Sequence, residues 1–302
     1  MSFAKTVFVA IDHLFNKTQN RTKMLRQTRH VKCDADIAYG DEPECKLDLY
    51  YVPKESGKYP VIFEIHGGGF VAGDKKYRRG LSRWYAANTG AMVVNVNYGL
   101  APEVIFPTPL QQLVKAANWV KENAEKYNLD LTKFVATGDS AGGYYAAMLC
   151  VIQDSEVLQE QYGKMDAKFT GCALNCGIYD LETALKTKIL FNLTGKIWKD
   201  YTGESMKDIQ NYKYLNYLSP SHYITEKFPK AFFVYAKKDF FCGGQGEALK
   251  EQLDSLGVYN ESYGSTKFMD NHTFPIMWSS KAAKEANAML LSFLNRFFAG
   301  EI

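Results

Sequence analysis

The stretch "KFVATGDSAGGYYAAMLCVIQ", residues 133–153, predicts a strand that turns sharply into a helix. At the junction, Gly138, Ser140 and Gly142 satisfy the pattern G-x-S-x-G. In this pattern a serine stands on a strained turn above the sheet, at a helix N-terminus whose unpaired N–H groups favour negative charge. The stretch therefore predicts a nucleophile elbow. The alternative is a glycine-rich turn that merely ends a strand.

The segments on both sides of this stretch alternate between strand-like and helix-like patterns. We predict strands at 60–66, 91–98, 133–140 and 230–239, and helices at 78–90, 109–127, 141–153, 246–257 and 280–298. Such alternation predicts parallel strands joined by crossover helices, with ligands bound beyond the carboxyl ends of the strands. The predicted fold is an α/β fold with a mostly parallel, twisted sheet and helices on both faces.

The chain length of 302 residues favours one large domain over a string of modules. The region from about 180 to 227 breaks the alternation, which predicts a helical insertion over the edge of the sheet. Together with the first residues, about 1–40, this insertion is predicted to form a cap over the domain. A peripheral decoration without that role is the alternative.

Charge and apolar patterning exclude several function classes. The 36 basic and 33 acidic residues give a net charge of +3, which is too balanced for a nucleic-acid binder. No apolar run approaches the roughly 20 residues that cross a bilayer, so we expect no stable membrane insertion. The opening "MSFAKTVFVAIDHLF" fits an amphipathic helix better than a signal peptide. The six cysteines form no C-x-x-C pair, which predicts reduced thiols, a cytoplasmic location and no metal site.

A serine nucleophile needs a base, and an elbow-type sheet places the residues in the order serine, acid, histidine. Of the five histidines only His222 and His272 follow Ser140. His222 lies inside the predicted insertion, whereas His272 follows the last strand-like run and precedes the final helix. His272 is therefore the predicted base.

The acid is expected at the end of a strand between the serine and the histidine. Asp239 closes the strand-like run "KAFFVYAKKD" and is the predicted acid. Asp180 also follows a strand-like run and is its rival. Asp270 is too close in sequence to His272 to come from a separate strand.

Three glycines, residues 67–69, follow His66 at the end of an early strand. Bare backbone there lets N–H groups point at one spot beside the serine, where acyl transfer creates an oxyanion. We predict the N–H groups of Gly68, Gly69 and Ala141 as the oxyanion donors. A flexible turn is the alternative for the glycines alone.

Four motifs in this order, "HGGGFVAGD", "NYGLAPE", "GDSAGG" and "DNHTF", resemble the hormone-sensitive-lipase-like branch of the α/β-hydrolase fold. The resemblance covers about residues 45–298. It implies a serine carboxylesterase with a helical cap that uses Ser140, Asp239 and His272. It also implies that His66 shapes the glycine loop rather than exchanging protons.

The expected activity is hydrolysis of small to medium acyl esters through an acyl-enzyme, with no metal or organic cofactor. Phe70, Tyr144, Phe240 and Phe241 adjoin motif residues and are candidates for the substrate pocket, although each is also a plausible core residue. The same triad serves amidases, peptidases and deacetylases, and some relatives are non-catalytic receptors of small molecules. The expected partner is a small-molecule ester, and a homodimer is possible because many relatives form dimers.

Overall fold

A computed structural model describes residues 1–19, 27–186, 192–267, 269–278 and 280–302. In these ranges the chain builds one eight-stranded sheet in the order β1-β2-β4-β3-β5-β6-β7-β8. The strands are β1 (Lys32–Ala38), β2 (Lys46–Tyr51), β3 (Tyr59–Ile65), β4 (Met92–Val96), β5 (Leu129–Asp139), β6 (Gly171–Asn175), β7 (Lys230–Ala236) and β8 (Asn260–Ser265).

The sheet is antiparallel only at one edge. β2 pairs antiparallel with both β1 and β4, while β4, β3, β5, β6, β7 and β8 pair in parallel. The prediction of a mostly parallel sheet is therefore confirmed. The carboxyl ends of β3, β5, β7 and β8 all lie at the same end of the sheet. The motif residues come directly after these strands and therefore lie at that end.

Helices cover both faces of the sheet. They are α1 (Phe3–Gln19), α2 (Lys75–Thr89), α3 (Thr108–Glu122), α4 (Ala141–Ile152), α5 (Glu156–Tyr162), α6 (Leu181–Lys186), α7 (Leu193–Thr202), α8 (Gln245–Ser255) and α9 (Lys281–Ala299). Along β3, Val61, Phe63 and Ile65 enter the larger core, whereas Ile62 enters the core beneath α2 and α9. Burial on both faces explains why the central strands have continuous apolar runs.

The observed elements differ from the sequence predictions at several boundaries. α3 ends at Glu122, five residues earlier than predicted, and β5 begins at Leu129 rather than at 133. The backbone N–H of Tyr59 donates to the carbonyl of Asn128 at 2.8 Å, so the chain already joins the sheet there. β8 has the polar sequence "NESYGS" and is half-buried, and this composition gave no strand signal.

The predicted cap segments contain both helices and a strand. Residues 32–38, which the prediction placed in a cap of about 1–40, form the edge strand β1 because they pair with β2. Residues 180–227 contribute α6, α7 and short 3-10 turns, so they are helical where described. The parts of the predicted cap at 20–26 and 187–191 lie outside the described residues. None of the helices in the described ranges combines the length and the apolar composition that a membrane span requires.

The backbone of the elbow packs directly against the backbone of β3, with no side chain between them. A Cβ atom on Gly142 would lie 2.0 Å from the carbonyl oxygen of Ile65, and one on Gly138 would lie 2.4 Å from the backbone of Gly142. Backbone atoms of a central strand and a buried helix cannot move aside as a flexible side chain would. The two glycines therefore set how closely α4 approaches the sheet.

We expect Gly142→Ala to destabilise the protein by about 3 kcal/mol or more, because overpacking against a strand carbonyl forces α4 away from β3. Urea unfolding followed by circular dichroism measures this change. Gly300→Ala is the control, because a Cβ there meets nothing within 4 Å and only its positive φ of 77° opposes the substitution. Equal stability of the two variants would contradict the close approach.

Candidate active site

Ser140 stands at the turn between β5 and α4, as predicted for an elbow. Its φ of 53° and ψ of −119° are strained for a residue with a side chain, a strain that typically costs about 1–3 kcal/mol. The backbone N–H of Ser140 donates to the carbonyl of Asn175 at 2.9 Å, which ties the turn to β6. The serine is largely buried, with 8% of its surface exposed.

The loops after β7 and β8 bring an acid and a histidine to this serine. Nε2 of His272 lies 2.8 Å from Oγ of Ser140, and Nδ1 lies 2.8 Å from Oδ2 of Asp239. If Nδ1 carries the proton, Nε2 is free to accept the hydroxyl proton of the serine. The three side chains thus form one continuous hydrogen-bonded chain, although 132 positions separate the serine from the histidine.

The carboxylate of Asp239 is held ionised. Burial opposes its negative charge, but His272 and the backbone N–H groups of Phe241 and Cys242 outweigh burial and hold the pKa of Asp239 below its usual value. Those two N–H groups donate to Oδ1 at 2.8 and 2.9 Å. A fixed anion in this position orients the imidazole.

The rival candidates lie elsewhere. The carboxylate of Asp180 accepts hydrogen bonds from Thr183 at the start of α6, and Asp270 accepts one from Ser265. His222 lies on a 3-10 turn, Pro220–Tyr223, and lines a different cavity. The structure therefore brings together the residues that the sequence analysis preferred.

Gly68 and Gly69 of the glycine loop line the same cavities as Ser140, and their amides are unpaired. Among the described residues, none accepts a hydrogen bond from the backbone N–H of Gly68, Gly69 or Ala141. Gly69 has a φ of 60°, and a Cβ there would lie 2.5 Å from the ring of Phe8. Glycine suits this position, because a positive φ is unstrained for glycine and a side chain would have to displace the ring of Phe8.

The buried side chain of His66 contacts the backbone of this loop. Its Nδ1 lies 2.9 Å from the carbonyl oxygen of Gly67, and its ring stacks on Tyr98 at a centroid distance of 4.5 Å. Burial lowers the pKa of His66 to about 4, so the ring is neutral at physiological pH. A neutral, hydrogen-bonded ring fits a role in shaping the loop.

A buried ion pair lies directly under the elbow, and the sequence analysis missed it. Arg78 of α2 donates from Nε and Nη2 to the two carboxylate oxygens of Asp139, both at 2.7 Å. Burial opposes the charge on Asp139, but Arg78 outweighs it and lowers the pKa of this carboxyl. No local pattern joins residues 61 positions apart in this way, so only the fold reveals the pair.

Two cavities meet at Ser140. One, of about 60 Å³, is lined mainly by apolar side chains, among them Phe70, Ile178, Leu181, Leu185 and Ile197. The other, of about 240 Å³, contains His272 and is lined also by Ile11, Asp12, Arg78, Phe240 and Asn271. Phe8 and Phe241 border both cavities, with their ring centroids 6.0 Å apart. We call these the apolar cavity and the histidine-side cavity.

The four aromatic candidates for substrate binding occupy different places. Phe70 lines the apolar cavity, Phe240 the histidine-side cavity and Phe241 both. Tyr144 is fully buried and meets Phe70 edge to face at 5.4 Å, so it supports the wall of the cavity from the core. Phe8 and Asp12, which the sequence analysis did not select, enter these cavities from α1.

One group of residues has the atom types of a metal site. Ligand atoms of Asp239, Cys242 and His272 lie within 4.8 Å of one another, a cluster found among the described residues. The carboxylate and the imidazole are already hydrogen-bonded to each other, and burial raises the pKa of the Cys242 thiol well above its usual value. Both ring nitrogens of His272 are already used, one by Asp239 and the other by Ser140, so the donor set does not fit a resident metal.

The sequence profile of the BD-FAE family matches residues 47–253 of the chain. This span includes the glycine loop, the elbow and Asp239, and it ends before His272. The match covers most of the sheet and the two insertion helices α6 and α7.

Curated relatives of the chain are esterases by name. The probable carboxylic ester hydrolase LipM of Mycobacterium tuberculosis is 26% identical over 280 residues, which are 90% of this chain and 63% of LipM. The versiconal hemiacetal acetate esterase of Dothistroma septosporum is 36% identical over 116 residues, 38% of this chain and 35% of that protein. The chain thus spans no more than 63% of the length of these relatives. The predicted resemblance to hormone-sensitive-lipase-like carboxylesterases is confirmed.

Solved structures share the fold of the chain. Inhibited esterase B from Lactobacillus rhamnosis superposes with a TM-score of 0.80 at 22% identity, over 97% of this chain and 94% of that one. A bacterial heroin esterase superposes with a TM-score of 0.78, also at 22% identity, over 96% of this chain and 90% of that one. The predicted α/β-hydrolase fold is confirmed.

Removing one partner of the buried ion pair is expected to cost more than removing both. Asp139→Asn removes the carboxylate that pairs with the buried guanidinium of Arg78, which we expect to destabilise the protein by about 3–5 kcal/mol. The double variant Asp139→Asn with Arg78→Met is expected to recover much of that loss. Urea unfolding of the wild type, both single variants and the double variant measures the coupling. Additive losses would show that the pair is not a unit.

The buried Glu64 on β3 is expected to make stability depend on pH. Burial raises the pKa of Glu64 to about 8, so the folded protein keeps a proton that the unfolded chain releases. Since the folded pKa is raised, stability falls as pH rises from the ordinary glutamate pKa of about 4.3 to about 8.

Glu64→Gln, which stays neutral, is expected to lack this part of the slope. Urea midpoints of both proteins across that pH range measure the difference. Parallel curves for the two proteins would show that Glu64 does not hold the proton.

Proposed function

The chain belongs to the BD-FAE family, and from this membership and the site geometry we propose that it is a serine carboxylesterase acting on short acyl esters. The observation that carries the proposal is the hydrogen-bonded chain from Ser140 through His272 to Asp239, beside a glycine loop that lines the same cavities. The ester hydrolase and esterase names of the relatives support it.

In the proposed reaction, Oγ of Ser140 attacks the ester carbonyl while Nε2 of His272 takes the hydroxyl proton. The N–H groups of Gly68, Gly69 and Ala141 stabilise the oxyanion of the tetrahedral intermediate. The carbon–oxygen bond to the alcohol then breaks, and His272 passes its proton to the departing oxygen. Water, deprotonated by the same imidazole, attacks the acyl-enzyme, and the acid leaves with Ser140 restored.

The position of His272 indicates which cavity takes the alcohol part of the ester and which takes the acyl part. His272 must protonate the departing oxygen, so the alcohol lies on its side of the serine, in the histidine-side cavity. The acyl group then enters the apolar cavity, whose wall is formed by Phe70 and by side chains of α6 and α7. A volume of about 60 Å³ suits a short acyl chain.

The cap is proposed from the same contacts. Phe8 of α1, Leu181 of α6 and Ile197 of α7 border the apolar cavity, so both segments predicted as a cap cover the site where they are described. Lys5 pairs with Glu103 and Ser2 bonds to Asp200 of α7, which holds α1 over the cavity.

The predicted cytoplasmic location is supported by the six cysteines, all of which are free thiols. The predicted homodimer stays a prediction.

We expect Ser140→Ala to lower hydrolysis of p-nitrophenyl butyrate by about 10³-fold or more, because the nucleophile is removed while the fold stays intact. Asp239→Asn is expected to lower it by roughly 10⁴-fold, because the imidazole loses its orienting anion. Initial rates at saturating and low substrate measure kcat and kcat/KM.

Ser155→Ala is the matched control, since Ser155 caps α5 outside both cavities. A fluorophosphonate probe is expected to label the wild type and Ser155→Ala but not Ser140→Ala. An unchanged rate or an unchanged label in Ser140→Ala would end the assignment.

A further inference from the structure

We propose that Asp12 and Arg78 are specificity-determining residues that bind a second hydroxyl group on the alcohol part of the substrate. The preferred leaving group is then a glycol or polyol rather than a plain alkyl alcohol. The inference deepens the proposed function and rests on it, because it assigns the alcohol to the histidine-side cavity.

Asp12 is a carboxylate on an otherwise apolar helix face. Ala4, Phe8 and Asp12 are spaced four residues apart on α1, and all three are buried, with Asp12 only 4% exposed. The backbone N–H of Gly73 lowers the pKa of Asp12, but within the described chain the Oδ2 atom of Asp12 has no hydrogen-bond partner. Burying an unpaired carboxylate oxygen costs free energy that an apolar residue at this position would avoid. The cavity beside it offers the place for a partner.

Arg78 lines the same cavity and has the complementary unused atom, a donor. Its Nε and Nη2 are used by Asp139, but Nη1 has no hydrogen-bond partner among the described residues. The guanidinium is only 3% exposed, so bulk water does not solvate that nitrogen freely. Two residues that line the cavity containing His272 therefore have an unused acceptor and an unused donor, both buried.

The charges select among the groups that could bind there. Burial raises the pKa of Asp12 to about 6, so it is mostly ionised at neutral pH, while the charge of Arg78 is balanced by Asp139. An anionic substrate group would face the carboxylate of Asp12, and a cationic group would face the free nitrogen of Arg78. A hydroxyl donates to Oδ2 of Asp12 and accepts from Nη1 of Arg78, so it satisfies both atoms at once.

The remaining wall fits the carbon skeleton of such an alcohol. Phe8, Ile11, Phe240 and Phe241 are apolar, and the cavity volume of about 240 Å³ leaves room for a small polyol. An alkyl alcohol would also fit this space but would leave both polar atoms unpaired. A site with buried polar groups discriminates strongly against an analogue that lacks the matching hydroxyl.

The test compares butyrate esters that differ by hydroxyl against methyl. One pair is hydroxyethyl butyrate and propyl butyrate, and the other is glyceryl monobutyrate and methylbutyl butyrate. The ratio of kcat/KM within a pair cancels changes that affect both esters equally. We expect the wild type to prefer the hydroxylated ester by roughly tenfold or more in at least one pair.

The variants connect this preference to the residue. Asp12→Leu is expected to abolish the preference, and Asp12→Asn, whose amide oxygen still accepts, to keep part of it. Val9→Ala is the matched control on the same helix, because Val9 packs against the core without lining the cavity. We expect its ratio to equal that of the wild type.

Three results would overturn the inference while leaving the esterase assignment in place. The first is an equal kcat/KM for the two esters of both pairs in the wild type. The second is the same change of the kcat/KM ratio in Val9→Ala as in Asp12→Leu. The third is a higher kcat/KM for butyrylcholine than for the hydroxylated esters. If the wild type hydrolyses neither p-nitrophenyl butyrate nor any ester of the two pairs, the proposed function fails and this inference falls with it.

Discussion

The site depends on one steric constraint, the contact between the backbone of the elbow and the backbone of β3. Gly142 lies so close to the carbonyl of Ile65 that a methyl group would stand 2.0 Å from it. This contact fixes α4 against the sheet and holds Ser140 at a positive φ that a side chain ordinarily avoids. The neighbouring glycine loop follows β3 itself, so the same contact sets where the open amides lie relative to the hydroxyl. A fixed geometry of this kind is what electrostatic stabilisation of a transition state requires.

Several ionisable groups are buried near the elbow, and they differ in charge state and in hydrogen-bond partners. Asp139 stays charged because Arg78 pairs with both of its oxygens, whereas Glu64 has a pKa raised to about 8 and holds its proton. His66 is kept neutral by burial. Asp12 is the exception, because it is buried and largely ionised and still has an oxygen without a partner. Unpaired buried charge is costly, which is why we attribute a binding role to Asp12 rather than a structural one.

The site is built from segments that are far apart in the chain, and these segments contribute different parts of it. The proposed oxyanion donors, Ser140 and His272 come from segments that follow strands, so the sheet fixes their positions. The rest of the lining comes largely from α1, α6 and α7, together with Phe70, Phe240 and Phe241 of the loops themselves. In such an arrangement substrate preference can change through α1 or the insertion helices without disturbing Ser140, Asp239 and His272. Phe8 and Phe241 contribute most directly, because they border both cavities.

The sequence alone was enough to predict the parallel α/β sheet and the sharp turn at Ser140, and to favour Asp239 and His272 over Asp180 and His222. These follow from local patterns, since buried strands, glycine turns and helix ends leave signals within ten or twenty residues, and the order of the motifs orders the side chains. The sequence did not reveal β8, the edge strand within 32–38, the Arg78–Asp139 pair or the entry of Phe8 and Asp12 into the site. Those features depend on which surfaces meet after folding. A half-buried polar strand has no distinctive pattern, and an ion pair across 61 residues exists only because α2 crosses the end of β5. Tertiary packing alone decided what lines the cavities, because a side chain on an amphipathic helix becomes part of a site only through the element against which it is packed.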